Sequence, residues 1–344
     1  MDVSILDGSS PACDEFVGRS PNGKLCHLPA WSRMVERTFG HRGYYLVARD
    51  GNAVRGVLSL IHVRSWLFGN RMISQAFSNY GGPLAEDRQT LDALYAEAVG
   101  LAERLGCESI EFRNVEPMPY DDLDLRTDKV CMYLPLKGDP DELWRSFKSD
   151  TKVRNHVRKA ENAGIVAEDG GIELLEEFYR VYAIRMHQLG TPAYPRSLMR
   201  GILETFPDNS RLFVARLGNV TVAARLLVHF NGLVQSRWGI TLTEYNHLSP
   251  NHLLYWAALK HYCRAGASCF DFGRSTVDSG PYRFKKQWGT QIVPLHYQYW
   301  VRPGHKLSLA NPDNPKYKRR VELWKKLPLR VANLIGPYIS RSLP

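Results

Sequence analysis

The sequence predicts a mixed α/β fold that occurs twice in tandem, each copy a largely antiparallel sheet flanked by helices. Three observations carry that reading. The chain has 344 residues, more than a single hydrophobic core usually organises. It also matches itself: YLVARDGN (45–52) and LFVARLGN (212–219) agree at five of eight positions with an offset of 167. The same offset sets Arg33 on Arg200 and Thr38–Phe39 on Thr205–Phe206. Farther on, ALYAEAVGLAERLGCESIEFRN (93–114) falls on LLYWAALKHYCRAGASCFDFGR (253–274) with six identities at an offset of 160. Two collinear blocks of this kind mark a duplication. Within each block, hairpin strands precede a helix and a return strand, an order that gives a mixed sheet with helices on its faces.

Each copy opens with a helix that ends at Phe39 or Phe206. A strand follows (Tyr44–Ala48; Leu212–Ala215), closed by a Gly-Asn turn of the kind that joins antiparallel strands. Further strands are expected at Val54–His62 and around Ile73–Tyr80 in the first copy, and at Val220–Phe230 and Leu233–Ile240 in the second. A long helix then covers Gln89–Leu105 or Asn251–Ala265, stopped by Gly106 or Gly266, where a left-handed residue ends the last turn. A short strand, Ser109–Arg113 or Ser268–Phe272, completes the unit. Between the copies, DPDELWRSFKSDTKVRNHVRKAENAG (139–164) reads as two helices, with Ser149 or Asp150 as a cap and Gly164 as a stop. Val153, Val157 and Ala160 form its narrow apolar stripe, surrounded by Lys152, Arg154, Arg158 and Lys159. The expected divisions are a first domain over 1–145, a second over 146–301 and a tail over 302–344.

Composition narrows the class. Hydrophobic residues make up 44% and charged residues 23%, the balance of a globular chain. The N-terminus carries Asp2, Asp7, Asp14 and Glu15 before any basic residue, unlike a secretory signal, and no apolar run approaches bilayer length. The six cysteines form no C-x-x-C pair, which favours reduced, buried thiols over a zinc site or disulfide framework. The expected location is cytoplasmic, with the inner membrane face as an option. Net charge is +10, yet residues 302–344 hold ten Lys or Arg against Asp313 and Glu322. The basic character therefore belongs mostly to the tail, where nucleic acid, an anionic membrane or simple solvation would each explain it.

Walker, dinucleotide-binding, zinc-protease and nucleophile-elbow signatures are absent, and Asp271-Phe272-Gly273 lacks the partners of a kinase triplet. Metal ligation is not expected. The informative segment is SGPYRFKKQWGT (279–290), where Tyr282, Phe284 and Trp288 alternate with Arg283, Lys285 and Lys286. On a helix, Phe284 and Trp288 share a face while Lys285 projects to the side. Taken by itself, such a stretch also describes a surface helix with aromatic anchors and solvated lysines.

The order of elements, the basic RNHVRKAENAG helix and the RFKKQWG segment resemble the FemAB-like, peptidoglycan-bridge aminoacyltransferase family. That family is built from two acetyltransferase-type (GNAT-like) domains. Within it, the chain is most similar to the FemAB-related proteins associated with PEP-CTERM/exosortase and exopolysaccharide loci. The resemblance covers about residues 25–300, and the narrower one reaches into the tail. It implies that Phe284 and Lys285 match a Phe-Lys pair at the transfer site. The lysine would there stabilise charge as the acyl bond is exchanged, which is sound chemistry because attack on an ester or thioester builds an oxyanion. It further implies two tandem acyl-CoA N-acyltransferase folds, the first a degenerate copy binding the acceptor and the second carrying donor site and catalysis. The donor would be an acyl-CoA or an aminoacyl-tRNA, used as co-substrate with no tightly bound cofactor. The acceptor would be an amine or hydroxyl of a saccharide or peptidoglycan-like precursor, held in the cleft between the domains.

Weaker candidates complete the set. Asp271, at the end of a predicted strand, would serve as a base, or would fix a turn or pair with Arg274; Glu111 in the first copy occupies the equivalent position. Asn251 lies in Ser249-Pro250-Asn251 at the start of the long second-copy helix, where N–H groups could take a pyrophosphate. The Q/R-x-x-G-x-G/A loop common at that place is missing. Arg237-Trp238 and Asn79-Tyr80 precede glycines in comparable strands and line clefts or fill cores. Arg154 and Arg158, one helical turn apart, would clamp a phosphate or a tRNA backbone, or form a solvated face. Finally, WKKLPLRVANLIGPYI (324–339) reads as an amphipathic basic helix bearing Leu327, Val331, Leu334, Ile335 and Tyr338. It would lie on an anionic membrane or pack on the first domain. The competing functional class is a non-catalytic saccharide- or RNA-binding module built from degenerate acyltransferase domains.

Overall fold

The computed structural model describes residues 1–65, 69–307 and 315–343. The first half of the chain runs β1 (Asp2–Ile5), α1 (Pro11–Arg19), α2 (Pro29–Phe39), β2 (Arg42–Asp50), β3 (Ala53–Ser65), β4 (Gly69–Ser74), β5 (Leu84–Ala85), α3 (Arg88–Arg104), β6 (Ser109–Asn114), β7 (Asp124–Arg126) and β8 (Lys129–Pro135). Helices α4 (Pro140–Ser146) and α5 (Val153–Asn162) lead into β9 (Ile165–Gly170), α6 (Leu175–Gln188), α7 (Arg196–Thr205), β10 (Ser210–Leu217), β11 (Val220–Phe230), β12 (Leu233–Thr241) and α8 (Pro250–Arg264). The chain closes with β13 (Cys269–Asp271), β14 (Ser275–Thr276), α9 (Gly280–Lys286), β15 (Gln291–Pro294), β16 (His296–Val301), α10 (Pro315–Lys325) and α11 (Leu329–Ser340).

The strands form two sheets of the same design. One follows the order β1-β2-β3-β4-β6-β16-β7, the other β14-β8-β13-β12-β11-β10-β9. In each, four antiparallel strands meet a parallel neighbour, β4 with β6 and β12 with β13, and the long helix before that neighbour covers one face. The duplication extends to detail. The β2–β3 ladder slips at Ala48/Arg49 and the β10–β11 ladder at Ala215/Arg216, positions related by the offset seen in the sequence. Local chemistry sets the ends: Asp87 caps α3 by accepting from the Thr90 N–H at 2.7 Å, and Gly40 ends α2 in the left-handed conformation. Leu94, Ala98, Leu101 and Ala102 of α3 pack on Leu46, Leu58, Leu60, Ile110 and Phe112. In the second copy Leu254, Tyr255, Ala258, Leu259 and Tyr262 of α8 are buried as Phe213, Leu226 and Phe270 are.

The described residues form two compact units, 1–130 with 294–307 and 341–343, and 131–293 with 315–340. These divisions differ from those expected at 145 and 301, for a topological reason. Strand β8 hydrogen-bonds β13 in the second sheet, whereas β16 returns to lie between β6 and β7 in the first. Each sheet is thus completed by a strand distant in sequence from its other strands. Three local expectations also change. The strand expected around Ile73–Tyr80 lies at Gly69–Ser74, ended by Gln75 and Phe77 at φ of 50° and 65°. The cap of α5 is Lys152 at φ 58°, because Ser149–Thr151 form their own 3-10 turn. Lastly, the tail divides: α10 and α11 pack on α6 of the second unit, while 302–307 and 341–343 belong to the first unit, where His41 Nε2 lies 2.7 Å from the Arg341 carbonyl oxygen and Arg302 donates to the Glu103 carbonyl at 3.2 Å; positions 308–314 and 344 of that tail lie outside the described residues.

Candidate active site at the end of the second parallel ladder

Strands β12 and β13 pair in parallel only from Leu233/Cys269 to Gln235/Asp271. Beyond that point β12 stays with β11, but the register jumps: Leu227 faces Ser236 and Leu226 faces Trp238. Arg237 is therefore the extra residue of a β-bulge, which bends the strand. The β3–β4 ladder of the first copy runs over its described residues without such a shift. The ladder end is fixed by Asp271, 1% exposed, whose Oδ1 accepts from the Gly273 N–H at 2.7 Å. Gly273 has φ +81°, and a Cβ there would sit 2.8 Å from the Ser236 carbonyl oxygen, so the turn requires glycine.

Lys285 closes this turn. Its helix, α9, starts at Ser279, whose hydroxyl accepts from the Tyr282 N–H at 3.3 Å. One turn later Lys285 donates to the carbonyls of Gly273 at 2.7 Å and Arg274 at 3.0 Å. An ammonium has three donors, so one is left for a further acceptor. The side chain is only 8% exposed. Burial pushes its ammonium down to about 8, a fall opposed by the nearby Asp271 carboxylate and deepened by Arg225 and Arg274.

Arg225, absent from the sequence-based candidates, is the second buried cation. It donates to the Ser236 hydroxyl and, at 2.7 Å, to Asn251 Oδ1. Its guanidinium lies 3.5 Å from the Tyr255 ring centroid. Space for it comes from the facing Gly239, where a Cβ would meet the guanidinium at 2.4 Å and 2.5 Å. The signal was an arginine inside the largely apolar strand VTVAARLLVHF. Arg225 thereby ties the bulged strand to the first turn of α8. That helix start has no side-chain cap. The hydroxyl of Ser249, at φ 63°, is instead 3.0 Å from His156 Nδ1, and His156 stacks on His252 at 4.4 Å. Burial pushes His252 down to about 4, so it is neutral at physiological pH.

The other candidates distribute around this point. Phe284, half-buried, meets the rings of His252 at 4.9 Å and Tyr255 at 5.6 Å. Trp288 is buried among Phe147, His252, Tyr255 and Phe272, a core position. Tyr282 is buried, with the Lys286 ammonium 5.9 Å from its ring. Arg274 is exposed but contributes its carbonyl to Lys285. Arg237 lies over Trp238, which meets Tyr194 edge-on at 6.0 Å. Arg154 is half-buried and Arg158 exposed on α5, whose buried stripe of Val153, Val157 and Ala160 matches expectation.

Tyr80 belongs to the first unit, where it lines a cleft of about 640 Å³ with Lys24, Arg88, Arg113, Asn114 and Met118. Lys24 is 7% exposed and its ammonium lies 5.0 Å from the Tyr80 ring centroid. His27 Nδ1 accepts from the Lys24 N–H at 3.1 Å, so its Nε2 donates to the Gly82 carbonyl at 3.2 Å. Burial pushes His27 down to about 3, keeping it neutral. Here Glu111, the counterpart of Asp271, accepts from Arg113 Nε at 2.7 Å in a buried ion pair. The same strand position thus holds an acid in both copies with different partners. Among the described residues no group of three His, Cys, Asp or Glu side chains is placed to hold a metal ion.

The architecture is that of a duplicated GNAT-type acyltransferase fold. Residues 148–286 match the family described as "Acetyltransferase (GNAT) domain", a span that includes Lys285 and the β12–β13 ladder. Among solved structures, the chain is similar to FemX at 16% identity and TM-score 0.67, covering 95% of this chain and 100% of that one. It is also similar to L-PGS from Bacillus licheniformis at 12% identity and TM-score 0.59, covering 97% and 99% respectively. A tandem GNAT protein from the clavulanic acid biosynthesis pathway gives 14% identity and TM-score 0.51 over 89% of this chain and 100% of its own. No curated protein sequence matches the chain.

Proposed function

We propose that the protein transfers an acyl or aminoacyl group from an activated donor to an amine or hydroxyl of a cell-envelope or exopolysaccharide precursor. The observation that carries this reading is Lys285, a buried ammonium held by two carbonyls at the end of the β12–β13 ladder with one donor to spare. Transfer requires the acceptor's nitrogen or oxygen to attack the donor carbonyl carbon, forming the new bond as the thioester or ester bond breaks. Negative charge collects on the carbonyl oxygen, and a fixed ammonium in a water-poor site lowers that barrier. The acceptor's proton passes to solvent or a base as the leaving group is protonated. Asp271 supports the site by holding the Gly273 turn and sustaining charge on Lys285.

An acyl-CoA is the donor favoured here. The uncapped first turn of α8 offers N–H groups to a pyrophosphate, and Arg225 holds Asn251 beside it. The cleft lined by Lys24 and Tyr80 in the first unit is the proposed acceptor-binding site. Thermal unfolding of the purified protein with acetyl-CoA, longer acyl-CoAs and free CoA tests the donor. A ligand at about a hundred times its dissociation constant stabilises the native state by about 2.7 kcal/mol, several degrees in melting temperature. A specific shift supports a thioester donor. No shift with any thioester turns the reading to aminoacyl-tRNA, whose binding would weaken steeply with salt.

A further inference from the structure

Helix α11 presents its two faces in reverse of the usual order, whereas α10 buries the large Trp324. A helix on a globular protein normally buries its large apolar residues and exposes small or polar ones. In α11 the buried residues are Ala332, Gly336 and Ser340, spaced by four along one side. Gly336 sits close to Ala193 and Trp324, where a Cβ would come within 3.4 Å of the Ala193 nitrogen. The opposite side carries Val331, Leu334 and Tyr338, 41%, 69% and 71% exposed, with Leu323 of α10 at 56%. The pair is anchored from below: His187 Nε2 donates to the Leu327 carbonyl at 2.8 Å. The small-residue face of α11 is thus already used, and its large apolar face meets solvent.

Charge identifies the occupant. Arg319, Arg320, Lys325, Lys326, Arg330 and Arg341 are all exposed around this stripe, and among the described residues of the two helices Glu322 is the one acid. A second copy of the chain would bring the same six cations face to face, since a two-fold contact is self-complementary. An anionic lipid surface satisfies both features together, taking apolar side chains at the acyl boundary and basic ones among headgroups. Tyr338 supplies the amphipathic ring that favours that depth. At 12 residues α11 lies along a surface and does not span a bilayer, and no helix among the described residues is long and apolar enough to cross one. We infer that α10 and α11 dock the protein on an anionic bilayer surface, with Val331, Leu334 and Tyr338 inserted and the surrounding lysines and arginines on lipid phosphates. This holds independently of the reaction at Lys285.

Co-sedimentation of the full chain with phosphatidylcholine vesicles, with and without phosphatidylglycerol, tests the inference. Binding is expected only with phosphatidylglycerol and should fall with added salt. Replacing both Leu334→Asp and Tyr338→Asp should lower the bound fraction at least about tenfold with the melting temperature unchanged. The triple variant Lys325→Glu, Lys326→Glu, Arg330→Glu should also release the protein. No binding to anionic vesicles, or equal binding by the Leu334/Tyr338 variant, overturns the inference. So does a concentration-dependent dimer that the same variant dissociates, which would assign the stripe to a second copy.

Discussion

Lys285 and Asp271 form a unit in which charge, burial and backbone geometry depend on one another. Lys285 titrates near 8 in the folded protein against 10.5 for the ordinary group. Between those values the unfolded chain binds more protons at this group, so the contribution of Lys285 to stability rises with pH across that window. Burial raises the thiols of Cys13, Cys107 and Cys263 above their ordinary value, which lowers stability over the upper part of the same window. The lysine is therefore read as a difference: in chemical denaturation from pH 8 to 10.5 the native protein should gain on the order of 3 kcal/mol relative to Lys285→Met. Activity should move the other way. If the ammonium stabilises the oxyanion, kcat falls above pH about 8 as it deprotonates, and Asp271→Asn, which removes a charge favouring the ammonium, should shift that limb to lower pH. An unshifted limb would assign Asp271 to the turn alone. Lys285 was legible in the sequence only through its motif, because a lysine among aromatics also describes a solvated helix. Arg225 was legible as an anomaly in an apolar strand, but its partners Ser236 and Asn251 come from two other elements and emerge only on folding.

At the scale of elements, the site depends on a ladder that stops. The bulge at Arg237 and the glycine at 273 end the β12–β13 pairing, and the Gly273 carbonyl then receives Lys285. Gly273→Ala places a methyl 2.8 Å from the Ser236 oxygen in a left-handed backbone. It should cost about 2 kcal/mol in stability and reduce turnover of the remaining folded enzyme by moving the carbonyl that Lys285 uses. Unchanged melting and kcat would show that the turn tolerates the shift. Hairpins and long helices were well marked in the sequence, since Gly-Asn turns and glycine stops act locally. The stretch after β4 was not. Ile73–Tyr80 has the composition of a strand, yet Gln75 and Phe77 adopt positive φ, a conformation no local signal announces. The reversed faces of α11 were equally hidden, because periodicity identifies an apolar stripe without saying whether it is covered.

For the whole molecule, the duplication was readable and the strand exchange was not. Sequence repeats report which segments correspond, while the pairing of β8 with β13 and of β16 with β6 is a long-range choice. The exchange makes a specific claim about folding units. A fragment of residues 1–145 lacks β16, leaving β6 an unpaired edge, and should be poorly soluble or unfolded by circular dichroism. The same chain cut at 130 with 294–301 appended through a flexible linker should melt cooperatively. Cooperative melting of the first fragment would contradict the pairing.

The proposed chemistry rests on Lys285, and release of CoA thiol from a panel of acyl-CoAs, in the presence of nucleotide-linked amino sugars, measures it most directly. The native protein should turn over at least one donor–acceptor pair. Lys285→Met should lower kcat by about 10²–10³-fold with its melting temperature unchanged or raised. Equal turnover by the variant would remove Lys285 from the reaction. Donor binding by the native protein without turnover of any pair would make the chain a binding module.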